Sequence, residues 1–389
     1  MRPANSVLSG YGVTVFETMS RLAMECGSIN LGQGFPDDLG PENLRRAAAE
    51  AVIDGPNQYP PMMGIPELRQ AVAEHNKRFY GLDVDWQTET LVTSGATEAL
   101  NDCLMALIEP GDEVILIEPL YDCYLPLVER AGGVPKFVRI EPPEWALSEY
   151  ALRAAFSEKT KLILLNTPHN PAAKVFGRDE LETIAALVRE FDAYAVCDEV
   201  YEHILFDGRA HVPLMTLDGM RERTVRIGSA GKTFSMTAWK VGYVTAPPNL
   251  IGPISKAHQF VTFTTPRNLQ SAVALGLTQD DAYFDSLSGD LETKRDRIAR
   301  GLADIGFEIM ATEGTYFLSV DICSIGFEGS DVQFCEHITR EAGVTAIPLS
   351  AFYPTGGPDH FVRFCFSKQD DVLDTAIDKL RTHFKGGSP

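Results

Sequence analysis

The run Ser229-Ala230-Gly231-Lys232-Thr233-Phe234 places a lysine in a turn of small and hydroxyl-bearing residues, directly after Thr224-Val225-Arg226-Ile227. An amine held there can be desolvated, release its proton at modest cost and attack an aldehyde carbon to form a Schiff base. A second cation, Lys240, follows in Trp239-Lys240-Val241-Gly242-Tyr243. Three other polar features end apolar runs in the same way. In Ser94-Gly95-Ala96-Thr97 the residues are small enough for backbone N–H groups to approach a phosphate at the positive end of a helix. The turn Asn166-Thr167-Pro168-His169-Asn170-Pro171 is stiffened by two prolines and can aim an amide at a ligand oxygen. Asp198 follows Ala195-Val196-Cys197, where a carboxylate is costly without a cationic partner, and Tyr201 can offer a phenol on the same side. Taken singly, each feature also suits a plain turn, a helix cap or a structural ion pair.

These residues need a common frame, and the chain supplies one. Short β-branched runs begin near residues 90, 113, 162, 194, 224 and 241, and helical patterns such as 97–107 and 180–190 lie between several of them. That alternation predicts a largely parallel sheet covered by helices on both faces, with ligands at the carboxyl ends of the strands. The later part reads differently. A charged amphipathic helix at 294–302 leads into strands at 316–320 and 361–366, and a final helix runs from about 371 to 384. We read it as a smaller α+β domain joined by the N-terminal segment, with boundaries at 1–47, 48–285 and 286–389.

Bulk composition narrows the partners. The chain has 389 residues, 44% of them hydrophobic and 23% charged, as expected of a globular protein with an ample core. A formal net charge of −20 argues against nucleic acid or an anionic membrane as partner. The seven cysteines stand singly with no CxxC pair, which predicts buried free thiols in a reducing cytoplasm and neither a disulfide framework nor a metal site. No apolar run approaches membrane-spanning length.

A phosphate cradle, an amide, a carboxylate with a phenol and a lysine together meet the needs of pyridoxal 5′-phosphate, which requires an anion site, an acid partner for its ring nitrogen, donors to its 3-oxygen and an amine for its aldehyde. The ordered motifs SGATEAL, EPLYDCY, NTPHNP, DEVYEH, SAGKTF, WKVGY and VRFCFSK resemble the class I/II aminotransferases of fold type I over essentially the whole chain. LGQGFPD, NQYPPMMGIPELR, EGTYFL and AIPLSAF look most like their kynurenine/glutamine and methionine branch.

The resemblance implies an α/β fold, with a mostly parallel seven-stranded sheet between helices in a large domain plus a smaller α+β domain. It implies a cytoplasmic homodimer with active sites at the subunit interface, acting on amino acids and 2-oxo acids by a ping-pong cycle. Lys232 would carry the cofactor and shuttle the proton, Asp198 would pair with the ring nitrogen, and Asn170 and Tyr201 would hold the 3-oxygen. Gly95, Ala96, Thr97, Ser229 and Lys240 would bind the phosphate, with Tyr59 reaching in from a second subunit, while Tyr121 would stack on the ring. Arg363 would clamp the substrate carboxylate, helped by backbone near Gly34. Phe16, Phe352 and, across the dimer, Phe263 would line the side-chain pocket. The chain departs from the pattern at Ala172-Ala173, where Thr-Gly is usual, and at Ala238, where glycine is common. The expected donor is a neutral, hydrophobic or aromatic amino acid such as methionine, glutamine, kynurenine or phenylalanine. Neighbouring readings are a succinyl-diaminopimelate aminotransferase and a pyridoxal-phosphate-dependent cysteine-S-conjugate β-lyase.

Overall fold

A computed structural model describes residues 2, 4–354 and 356–386. Its centre is a seven-stranded sheet in the order Thr90–Thr93, Gly242–Thr245, Thr224–Ser229, Tyr194–Asp198, Thr160–Asn166, Glu113–Glu118 and Val134–Arg139. Only Gly242–Thr245 runs antiparallel to its neighbours. The edge strand Val134–Arg139 was absent from the sequence reading because VPKFVR is largely half-exposed and carries a proline and two cations.

Period-two alternation puts successive residues of a strand on opposite faces. Ile115, Ile117, Ile163, Leu165, Ala195 and Cys197 join one apolar core, whereas Val114, Leu116, Leu162, Leu164 and Val196 join another on the opposite face. Two buried faces explain why these strands read as unbroken apolar runs. Polar residues inside them need a partner, as Arg226 has in Glu199 and Glu202, while Asn166, Asp198 and Ser229 stand at the strand ends.

A second, antiparallel sheet runs Ile347–Pro348, Phe361–Cys365, Phe317–Asp321 and Glu308–Ile309, with helices Asp281–Ile305 and Asp370–Lys385 packed together beside it. The charged helix is thus longer than 294–302, and residue 285 falls inside its first turns, so a continuous helix joins the two units. Near the N-terminus, Ile29–Asn30 pairs in parallel with Val344–Thr345, which ties the first residues to this second unit. Among the seven free cysteines, Cys26 and Cys323 are exposed, contrary to the expectation of buried thiols, because neither side chain has a core to join on its surface element.

Candidate active site

The strand ends face the second unit across a cavity of about 410 Å³. That volume suits a cofactor-sized ligand. Gly95, Ala96, Thr97, Tyr121, Asn170, Asp198, Tyr201, Ser229, Lys232 and Lys240 all line it, as do Gly34, Phe16 and Arg363. Tyr59, Phe263 and Phe352 are not among the described residues on its wall. Phe352 is buried behind Phe16, edge to face at 5.6 Å, and packs on Arg363. Tyr59 is 83% exposed and meets Phe263 at 5.5 Å away from this cavity.

The Ser94–Thr97 turn is built by close backbone approach. Gly95 has φ +80° and precedes the Ala96–Leu107 helix, whose first amides are free to meet an anion. A Cβ on Gly242 would lie 2.6 Å from the Gly95 carbonyl carbon, so only glycine lets the neighbouring strand come this near. Lys240, in the left-handed region at φ 52°, brings its ammonium over Gly95. The departure at Ala173 also has a backbone consequence. Ala173 sits at φ 57°, a conformation that costs alanine about 1 kcal/mol and explains why glycine is common there.

Lys232 follows the Thr224–Ser229 strand in a single helical turn, Ala230–Thr233. Burial lowers its ammonium to a pKa of about 8, against the opposing pull of Cys365 and Asp198. Its Nζ donates to the Tyr316 hydroxyl at 2.8 Å, and that hydroxyl donates to the Gly34 carbonyl at 2.8 Å. Tyr316 therefore joins the Lys232 amine to the Gly32–Gly34 backbone that Arg363 also holds. Gly34 itself has no room for a side chain, since a Cβ would meet Phe317 Cζ at 2.5 Å.

DEVYEH holds three carboxylates, and only Asp198 faces the cavity. Glu199 and Glu202 both pair with the buried Arg226 instead, the former at 2.5 Å. Burial raises Asp198 to about 6, while hydrogen bonds from the Tyr124 hydroxyl (2.7 Å) and the Val200 amide (3.4 Å) work the other way. Tyr124 was missed by sequence reasoning, although it stands in the quoted EPLYDCY motif three residues after Tyr121. Tyr316 was missed in the same manner inside EGTYFL. Its place beside the lysine depends on pairing between Phe317–Asp321 and the strand of Arg363, which no local pattern reveals.

Arg363 is 1% exposed and held on all sides. Nη1 donates to Asn170 Oδ1 at 2.7 Å, Nη2 donates to the Gly32 carbonyl at 3.0 Å, and the guanidinium lies 3.8 Å from the Phe317 ring centre. Its Nε is buried without a hydrogen-bond partner, and burial pulls the group down to about 10. A buried cation with an unspent donor is suited to an incoming carboxylate. Asn170 is in turn fixed by Asn166, which bonds both the Asn170 amide and the Asp198 carbonyl.

The chain matches the family model for Aminotransferase class I and II over residues 27–380. It belongs to this family. It is 44% identical to a probable N-succinyldiaminopimelate aminotransferase of Mycobacterium tuberculosis, covering 96% of this chain and 97% of the relative. It is 40% identical to the methionine aminotransferase of Escherichia coli, covering 97% of each. The solved N-succinyldiaminopimelate aminotransferase of M. tuberculosis superposes with a TM-score of 0.95 at 43% identity, over 98% of this chain and 100% of that one. The protein is therefore a fold type I, pyridoxal-phosphate-dependent aminotransferase. No helix among the described residues is long and apolar enough to cross a membrane.

The residues present fit the cofactor: a glycine cradle with a lysine above it, a buried acid facing the cavity, and a partly buried amine of lowered pKa. Tyr124→Phe should weaken cofactor binding about tenfold, the equivalent of one hydrogen bond to a charged group. Removing that donor also takes away an influence that lowers Asp198. The carboxylate should then titrate at higher pH, and the loss should grow as pH falls. Titration of the apoprotein with pyridoxal phosphate at several pH values checks both effects.

Proposed function

We propose that this aminotransferase takes its amino group from neutral, hydrophobic or aromatic L-amino acids, passes it to a 2-oxo acid in a ping-pong cycle, and works as a cytoplasmic homodimer. The observation that carries the donor preference is the charge inventory of the cavity wall. Its described cations are Lys232, Lys240 and Arg363. In this reading the amine, the phosphate and the α-carboxylate claim one each, which leaves none for an acidic side chain. Asp122 adds a carboxylate to the same wall, and Phe16, Phe35, Tyr121 and Phe317 supply apolar surface.

Bound pyridoxal phosphate supplies an aldehyde and an electron-accepting ring. Asp198 would keep a proton on the ring nitrogen, and Tyr201 and Asn170 would donate toward the 3-oxygen. Arg363 would fix the substrate carboxylate and so orient the Cα–H bond, while Lys232 Nζ would accept the Cα proton and later release it. The Tyr316 hydroxyl, which accepts from Lys232 Nζ, would steady that amine.

Dimer formation is supported by exposed apolar side chains. Ile53 (78%) ends the Glu42–Ile53 helix, which packs on Arg267–Leu277, Phe260 (81%) lies in the last turn of Pro248–Val261, and Tyr59 (83%) meets Phe263. Large apolar side chains left this exposed support a protein interface. In the dimer, Tyr59 and Phe263 would serve the partner's site.

A second reading, an N-succinyldiaminopimelate donor, is favoured by the 44% identity to the mycobacterial relative. Arg267 lines a cleft beside Tyr59 and would reach a distal carboxylate across the interface. One donor panel tests both readings. Single amino acids, aspartate and N-succinyldiaminopimelate are each mixed with holoenzyme while the cofactor's visible band is followed, and the mass is measured by sedimentation. Methionine or phenylalanine should bleach the band at least about tenfold faster than aspartate, in a particle of about twice 42.7 kDa. Aspartate acting as fast as either overturns the preference. A markedly faster reaction with the succinylated donor selects the second reading.

A further inference from the structure

Behind the phosphate turn lies a buried group of charges that the proposed reaction does not use. Glu98, in the first turn of the Ala96–Leu107 helix, accepts a short hydrogen bond from the Ser94 amide. Its other oxygen lies 2.8 Å from Nδ1 of His258, a fully buried residue of the Pro248–Val261 helix. The Nε2 of His258 points at the Met62 carbonyl, 3.0 Å away. Both ring nitrogens thus face oxygen acceptors, and a ring that donates both ways is an imidazolium. Burial opposes that charge, yet the hydrogen bond and charge of Glu98, with Asp102, raise His258 above the ordinary imidazole value. Asp102 stands 3.7 Å from Nδ1, with Oδ2 buried and without a hydrogen-bond partner.

The same residue holds a second loop through its backbone. The His258 carbonyl accepts from the Thr262 amide at 3.1 Å and from the Phe263 amide at 2.8 Å, where Phe263 takes the left-handed conformation at φ 72°. The Phe263 ring then meets Tyr59, and the Thr264 hydroxyl reaches the Pro61 carbonyl at 3.5 Å. Side chain and carbonyl of one residue therefore anchor the loops bearing Tyr59 and Phe263, while Glu98 ties that residue to the helix under the phosphate turn.

We propose that His258 is a positioning residue for the partner subunit's active site, clamping the 57–64 and 262–264 loops to the phosphate helix and so setting where Tyr59 and Phe263 stand. This rests on the reading that those two residues serve the neighbouring site. Two substitutions cut the clamp at different ends. In His258→Asn the amide nitrogen takes the place of Nδ1, keeps the bond to Glu98 and releases Met62. In His258→Gln it takes the place of Nε2, keeps Met62 and releases Glu98.

Hybrid dimers assign the effect to a subunit. In the first, a subunit carrying Lys232→Ala and His258→Asn is paired with an unaltered one, so the single working lysine borrows loops from the altered subunit. In the second, a Lys232→Ala subunit is paired with a His258→Asn subunit, so the working lysine borrows intact loops. Two quantities are read against the Lys232→Ala/unaltered hybrid: kcat/KM, and the pyridoxal phosphate concentration needed for half-maximal borohydride-trapped label. The first hybrid should lose about tenfold in both, as expected when contacting groups are misplaced by a fraction of an ångström. The second should stay within about twofold. Equal losses in the two hybrids, or no loss in the first, overturn the proposal. His258→Gln must reproduce the pattern, so misfolding of one variant leaves the other to decide. An inactive or monomeric reference hybrid would instead refute the dimeric enzyme reading before His258 is altered.

Discussion

Lys232→Ala is expected to leave a folded protein that holds pyridoxal phosphate without a covalent link and transaminates at least about 10⁴-fold more slowly. The side chain opens onto the cavity, so its removal opens little void in the packed core. In the proposed cycle two tasks are lost at once, because one amine would both bind the aldehyde and move the Cα proton. Neither Lys240, bound over the Gly95 turn, nor Tyr316, whose proton is committed to the Gly34 carbonyl, stands where it can take over. The lowered pKa gives the same residue a signature in the apoprotein. The free amine grows in as pH rises through about 8, so acylation of Lys232 should reach half its maximum there. Exposed lysines follow only near 10.4. Circular dichroism, single-turnover absorbance and pH-dependent acylation together check these outcomes; sustained turnover by the variant contradicts them.

Arg363→Lys should lower kcat/KM for amino-acid donors by about 10²–10³-fold, the equivalent of about 3–4 kcal/mol. Lysine keeps the charge but not the planar fork, and it cannot hold Asn170, the Gly32 carbonyl and a carboxylate at once. Asn170 is the link to the cofactor side of the cavity, so loss of its partner should also loosen the aim of its amide. A primary amine that lacks the carboxylate never uses the clamp, and its slow reaction should change by less than about threefold. Steady-state rates with paired donors, an amino acid and its decarboxylated amine, separate the two contributions. Equal losses for both members of a pair would show that Arg363 acts through packing rather than through the carboxylate.

Legibility of the site in the sequence followed a physical rule. Asp198, Asn170, Ser229 and Lys232 were readable because polar residues at or just beyond the end of a doubly buried strand have few structural reasons to be there. Arg363, in the middle of the Phe361–Cys365 strand, was reached only through the family resemblance of VRFCFSK. Tyr124 and Tyr316 stayed hidden, because their value comes from what lies opposite them in space: the Asp198 carboxylate in one case, Lys232 and Gly34 in the other. His258 was hidden more deeply, since a lone histidine in an apolar helix reads as core until Glu98 and the Met62 carbonyl are brought to its two nitrogens. Phe352 shows the opposite failing. Its motif suggested a pocket wall, yet the ring supports Phe16 and Arg363 from behind. In the fold, buried strands were visible as apolar runs, while the half-exposed edge strand Val134–Arg139 was not.

The identity of the nucleophilic amine is tested most directly by trapping it. Holoenzyme is reduced with borohydride, digested, and searched for the lysine that bears a pyridoxyl group. The label should fall on Lys232 alone, at one per subunit, and adding an amino-acid donor before the reductant should abolish it. Label on Lys240 or another lysine, or a protein that binds the cofactor yet takes up none, would contradict the account.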